Sequence, residues 1–240
     1  GWMEEKVDGD YAKIWFKLPD DLDSGNVDIY VYYGNPEALW DDDPLDTFYA
    51  WNDGHGLYDW EYEETVSELE YTIDTSIYHS PPDSIQLYQP SNKPSTGYTY
   101  CRIKKTVTFD GTTQIMIQHW QRRDMYSGLA AGSYRSQVYV GSELLLERNC
   151  GSNPRVWEYH EFTHTPPAGD IDLIFQFWVG ISAGGTYWGK VWYDDILVRK
   201  YVEPEPEIMY WGEEELQTKT VTVTNERLDK EIALLGDLVT

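Results

Sequence analysis

Basic side chains are scarce in this chain: 18 Lys and Arg stand against 42 Asp and Glu in 240 residues, a formal charge of −24. Nucleic acid is excluded as a partner, because binding its phosphates requires Lys and Arg. Anionic membrane surfaces are excluded on the same ground. No apolar run approaches the ~18 residues of a membrane-spanning helix, so no membrane insertion is expected. Cysteine is limited to Cys101 and Cys150, without the spacing of a thiolate metal site. Amphipathic helical periodicity is nearly absent. There is no nucleophile elbow, no His-x-x-x-His metal helix and no phosphate-cradling glycine loop. His160 and His164 bracket Glu161 at the right count for a metal helix, but that segment reads as strand and turn. A paired-carboxylate hydrolase carries no signal either, since some pair among 42 acids will always fit.

What the chain has in excess is amphipathic rings, 20 Tyr and 11 Trp against 6 Phe. Such rings pack sandwich cores and also stack on flat ligands such as sugars. Apolar residues alternate with period two, which predicts strands. Residues 11–17 and 27–33 read as a hairpin around Pro19–Gly25, and the acidic run Asp41–Asp43 sets a boundary near residue 44. Ten further strands are expected at 57–61, 69–74, 84–88, 100–109, 114–120, 135–140, 143–147, 156–162, 170–180 and 187–201. That spacing predicts an all-β jelly roll or sandwich over 45–202. Residues 203–240 hold a Pro/acidic linker and a strand, Thr218–Thr224. This tail has no core of its own, so it must pack on a neighbour or remain a loose edge.

The alternation also sorts faces. In 170–181 the odd positions form an apolar stripe, leaving Gln176 and Trp178 on the opposite face. The same reasoning turns Gln118 and Trp120 outward in 114–122, Arg102 in 100–109, and Gln137 and Tyr139 in 135–140. If these strands share a sheet, one face gathers rings, planar amides and a guanidinium, a combination suited to a sugar. The competing reading is a second core, covered by a loop, by residues 1–40 or by the tail. Loops 121–134 and 182–189 are expected to rim the site.

Two resemblances add to this. Gly1–Glu4, Ala12–Pro19 and Val27–Pro36, written WxE … AxIWxKxP … IYxYYGNP, resemble the end of an uncharacterised β-sandwich domain of secreted and cell-surface proteins, mainly archaeal. The resemblance implies that residues 1–44 are a partial domain whose front half is absent, and hence that the chain is a fragment of something longer. Asp46–Phe48 with Trp51–Gly54, Ser84–Leu87, Val138–Gly141 and Trp192–Val198 resemble jelly-roll carbohydrate-binding modules. In that resemblance Asp194 or Asp195, Asp46 and Asp53 would hold a structural Ca²⁺; the alternative is that Asp194–Asp195 only satisfies backbone donors. In a secreted β-protein Cys101 and Cys150 are expected to form a disulfide, with two buried thiols as the alternative.

The expected function is a non-catalytic, extracellular or cell-surface module that binds a glycan or a neighbouring surface protein. One alternative is a structural subunit of a surface layer, filament or virion, forming homo-oligomers by strand exchange. The other is a polysaccharide-active enzyme.

Overall fold

The computed structural model describes residues 2–7, 11–16, 27–32, 47–52, 56–65, 68–90, 97–125, 133–151, 155–181, 188–201, 207–211, 218–224 and 230–235. Strands make up nearly all of the regular structure, and they fall into two compact units, Gly1–Tyr49 with Arg199–Thr240, and Ala50–Val198.

The first unit is built from both ends of the chain. Its strands are β1 (Trp2–Val7), β2 (Tyr11–Phe16), β3 (Val27–Tyr32), β15 (Glu207–Trp211), β16 (Thr218–Thr224) and β17 (Lys230–Leu235). They form two three-stranded sheets, β1-β2-β17 and β15-β16-β3. The Thr/Val alternation of β16 suits a strand paired on both sides, and its Val221 lies opposite Ile29 of β3. The tail therefore has partners within its own chain. The expected hairpin of 11–17 with 27–33 does not form. β2 pairs with β1 and β17 while β3 pairs with β16, so C-terminal strands take the places that the hairpin reading gave to local neighbours.

The second unit is an antiparallel sandwich of the jelly-roll class. Its strands are β4 (Ala50–Asn52), β5 (Glu61–Glu64), β6 (Glu70–Asp74), β7 (Ser84–Gln89), β8 (Gly97–Phe109), β9 (Ile115–Met125), β10 (Tyr134–Val140), β11 (Glu143–Asn149), β12 (Glu158–His164), β13 (Gly169–Ile181) and β14 (Gly189–Lys200). One sheet has the order β11-β10-β13-β8-β5 and the other β12-β9-β14-β7-β6, with β4 beside β14. Between them lie Ile85, Leu87, Ile103, Ile115, Ile117, Phe175, Phe177 and Tyr193, each at most 2 % exposed. The odd stripe of β13 supplies Leu173, Phe175, Phe177 and Val179 to this core, as period two requires. Residues 121–125, expected to begin a loop, continue β9 instead.

Turn chemistry fixes the corners. Between β8 and β9, Asp110 Oδ1 accepts the N–H groups of Thr112 and Thr113, both at 2.7 Å. Gly111 there has φ +80°, and a Cβ on it would lie 2.8 Å from the Ala168 nitrogen, so only glycine fits.

Cys101 and Cys150 are not bonded; both are buried free thiols. The sheet order gives the reason. Cys101 lies on β8, while Cys150 follows β11 and hydrogen-bonds through its N–H to Tyr134 O of β10. Three strand spacings separate the two, about 14 Å at the usual ~4.8 Å each, twice the reach of a disulfide.

Candidate functional site

The outward face of the five-stranded sheet is organised as cross-strand rows. In the first, Arg135 of β10 lies opposite Trp178 of β13, which lies opposite Tyr100 of β8. The second runs Glu147, Gln137, Gln176, Arg102, Glu63 from β11 to β5. The third brings Tyr139, Ile174, Lys104 and Glu61 together. Five of the seven expected ligand-site residues thus share one face: Trp178, Tyr139, Gln137, Gln176 and Arg102.

The middle row carries two hydrogen-bonded groups, Gln176–Gln137–Glu147 and Arg102–Glu63. Gln176 Nε2 donates to Gln137 Oε1 at 2.7 Å, and Gln137 Nε2 donates to Glu147 Oε2 at 2.7 Å. Arg102 donates through Nη2 to both oxygens of Glu63, at 3.0 and 2.9 Å. The two glutamines are each only 6 % exposed, so they form the floor of the face while the longer charged groups form its walls. Tyr139 keeps its phenol proton more firmly than usual, first through partial burial and then through Glu147 nearby.

The rings sit above this floor. The Arg135 guanidinium lies 4.5 Å from the Trp178 ring centre, and that of Arg102 lies 4.9 Å from Tyr100. Both are within cation–π range. Tyr98, 84 % exposed, stacks beside Trp178 at 5.6 Å and 27°. Gly180 lets the indole lie along the sheet, since a Cβ there would fall 2.1 Å from the ring. Tyr98, Tyr100, Arg135, Glu147, Glu63 and Gly180 did not stand out in the sequence. A signal for two of them existed, because Tyr98 and Tyr100 share the parity of the outward Arg102.

Trp120 and Gln118 lie elsewhere. They belong to β9, in the six-stranded sheet, so the single seven-residue face divides between two sheets. There Gln118 Nε2 donates to Tyr159 Oη at 2.7 Å and Glu161 Oε2 at 2.8 Å. Trp120 is covered by the His79 ring, stacked at 3.8 Å and 13°.

His79 belongs to the strap of residues 75–83 joining β6 to β7, and the closing-strand aspartates hold that strap. Asp194 Oδ2 accepts the N–H groups of His79 at 2.8 Å and Ser80 at 3.1 Å. Asp195 Oδ2 lies 2.8 Å from His79 Nδ1 and accepts the Ser80 hydroxyl at 2.7 Å. Burial first, then the neighbouring Asp195 charge, pushes Asp194 up to about 8. Both oxygens of Asp194 and Oδ2 of Asp195 thus serve donors of the strap and of the closing strand itself. Asp46 and Asp53, the other expected ligands, lie outside the described residues. Among the described residues no group of three or more His, Cys, Asp or Glu gathers as metal donors.

A two-sheet jelly roll with a ring-lined, hydrogen-bonding outer face defines the class: a β-sandwich with one chemically built surface. A family model described as a domain of unknown function, DUF2341, matches residues 1–63. No curated relative matches the chain. Among solved structures, TmCBM61 in complex with beta-1,4-galactotriose is similar at 10 % identity and TM-score 0.41, over 60 % of this chain and 90 % of its own. The C-terminal family 22 carbohydrate-binding module of Clostridium thermocellum Xyn10B is similar at 10 % identity and TM-score 0.42, over 66 % and 98 %. An endo-beta-1,4-glucuronan lyase from Trichoderma reesei is similar at 13 % identity and TM-score 0.41, over 65 % and 96 %. These likenesses extend no further than the fold. No described helix is long and apolar enough to cross a membrane.

Proposed function

We propose that the chain is a glycan-binding module of an extracellular or cell-surface protein, and that the outer face of the five-stranded sheet is its binding surface. The observation that carries this is the row Arg135–Trp178–Tyr100 standing over the Gln137–Gln176 floor. Rings offer stacking surface for the C–H faces of a sugar. The planar amides and guanidinium groups beside them supply paired donors and acceptors for hydroxyls. Arg102 and Arg135 are already paired with Glu63 and Glu147, so the face offers hydrogen bonds rather than net positive charge.

In this reading the role is non-catalytic, with Glu63 and Glu147 of the face held by Arg102 and Arg135. The test is binding of the whole chain to a panel of soluble polysaccharides by affinity electrophoresis, followed by calorimetry on any that retard it. Trp178→Ala and Tyr100→Ala should each weaken binding about tenfold, roughly the contribution of one stacked ring, with the melting temperature kept. Retention of full affinity in both variants would move the site off this face. Release of new reducing ends would replace the binding reading with an enzymatic one.

A structural Ca²⁺ involving Asp46, Asp53 and the Asp194–Asp195 pair belongs to the same proposal as a separate part. A fall in melting temperature with EDTA supports it. An unchanged value assigns Asp194 and Asp195 to strap anchoring alone.

A further inference from the structure

Each sheet of the sandwich ends in an edge strand, β11 in one and β12 in the other. Arg123 of β9 links the two. Its Nη1 donates to Asn149 O at the end of β11, at 2.9 Å, and its Nη2 pairs with Glu158 of β12. Along β9, the inward positions before Arg123 change character: Ile115 and Ile117 give way to His119 and Gln121, both fully buried. His160 of β12 lies directly opposite His119, with ring centres 5.2 Å apart. Phe175 and Tyr193 close the other side, at 5.1 and 5.9 Å from the His119 ring.

Both ring nitrogens of His119, both amide atoms of Gln121 and Nε2 of His160 are buried without a hydrogen-bond partner among the described residues. Gln121 is near enough to favour a charged His119 slightly, yet no bond of acceptable geometry joins them. Glu158 Oε2 stands 3.6 Å from His160 Nε2, too far for a hydrogen bond. Buried polar atoms in folded proteins are almost always satisfied, and five orphans in one place require a common partner. We propose that this seam is an internal water-binding site in which ordered water bridges His119, Gln121 and His160.

The chemistry of the lining matches water. Burial, with His160 alongside, pushes His119 down to about 3, so its ring is neutral and offers one donor and one acceptor. An amide likewise offers both. Water, which also donates and accepts, fits where a cation or an anion would leave half the lining unsatisfied.

The test is oxygen-17 magnetic relaxation dispersion on the whole chain, which counts long-lived internal waters. The double substitution His119→Phe with Gln121→Leu should remove at least one such water while the far-ultraviolet circular dichroism stays unchanged. An equal count in a folded double variant overturns the proposal. Should that variant not fold, a high-resolution crystal structure of the unaltered protein at neutral pH decides. Water at about 2.7–3.2 Å from ring nitrogens of both histidines supports the site, and a dry seam overturns it.

Discussion

Gly180 governs how Trp178 can lie, and so how a ligand would meet it. A methyl group at 180 would overlap the indole at 2.1 and 2.5 Å, so Gly180→Ala must turn the ring off the sheet. The displaced atoms lie on the outer face rather than between the sheets. The expected result is therefore a loss of glycan affinity of about tenfold, close to that of Trp178→Ala, with a change in melting temperature of no more than a few degrees. Calorimetry beside a melting curve checks both halves, and a large stability loss would mark Trp178 as core.

Inside the sandwich, His119 makes stability depend on pH. Its folded value is depressed to about 3 from the ordinary ~6.5 of an unfolded chain. The unfolded state therefore takes the proton first, and stability falls as pH drops below about 6.5. Asp194 acts in the opposite sense, since a value raised to about 8 favours the folded state as pH falls from there toward ~3.9. The difference between the unaltered protein and His119→Phe isolates the first effect. His160 on β12 and Tyr193 on β14 lie beside the His119 ring, while Glu158 on β12, Arg123 on β9 and Arg148 on β11 act on His160, and all remain in that variant. Between pH 7 and 4 the variant should lose less melting temperature than the unaltered chain. Parallel losses would show that burial does not lower the His119 value.

At the scale of elements, the strap between β6 and β7 is the least regular part that the described residues hold firmly. Asp195, at φ +49°, bends β14 so that consecutive aspartates reach the same strap from one strand. Asp195→Ala removes the partner of the His79 ring and the Ser80 hydroxyl but leaves the backbone anchors on Asp194. The expectation is faster proteolysis within 75–83 and stronger acrylamide quenching of tryptophan as His79 leaves Trp120, with the fold retained. Unchanged cleavage and quenching would show that the Asp194 contacts suffice.

Elements are also where the sequence was most and least readable. Period two correctly placed Phe175 and Phe177 inside and Gln176 and Trp178 outside, because pleating alone decides that. It could not say that Trp120 belongs to another sheet, because parity assigns a side of a strand and carries no information about which strands are neighbours. The same blindness to long-range pairing produced the expected hairpin of β2 with β3 and the expected bridge of Cys101 to Cys150. Tyr98, Tyr100 and Arg135 enter the face through the registers of β8 and β10 on β13, which only the assembled sheet reveals.

For the whole molecule, the question is whether β16 and β17 serve their own chain. Both sheets of the first unit require them, β16 beside β3 and β17 beside β2. Val221 occupies a central strand, paired with β15 on one side and β3 on the other, where proline removes a ladder hydrogen bond. Val221→Pro should therefore lower the melting of the first unit while glycan binding by residues 50–198 persists, visible as separation of two transitions in calorimetry. If the tail pairs at home, light scattering should return one chain, 28.0 kDa, at all concentrations tested. A mass that grows with concentration, and collapses to one chain in Val221→Pro, would mean that the same strands are exchanged between molecules. The registers of β16 and β17 would then describe a contact between copies, and building a surface assembly would displace glycan binding as the leading reading.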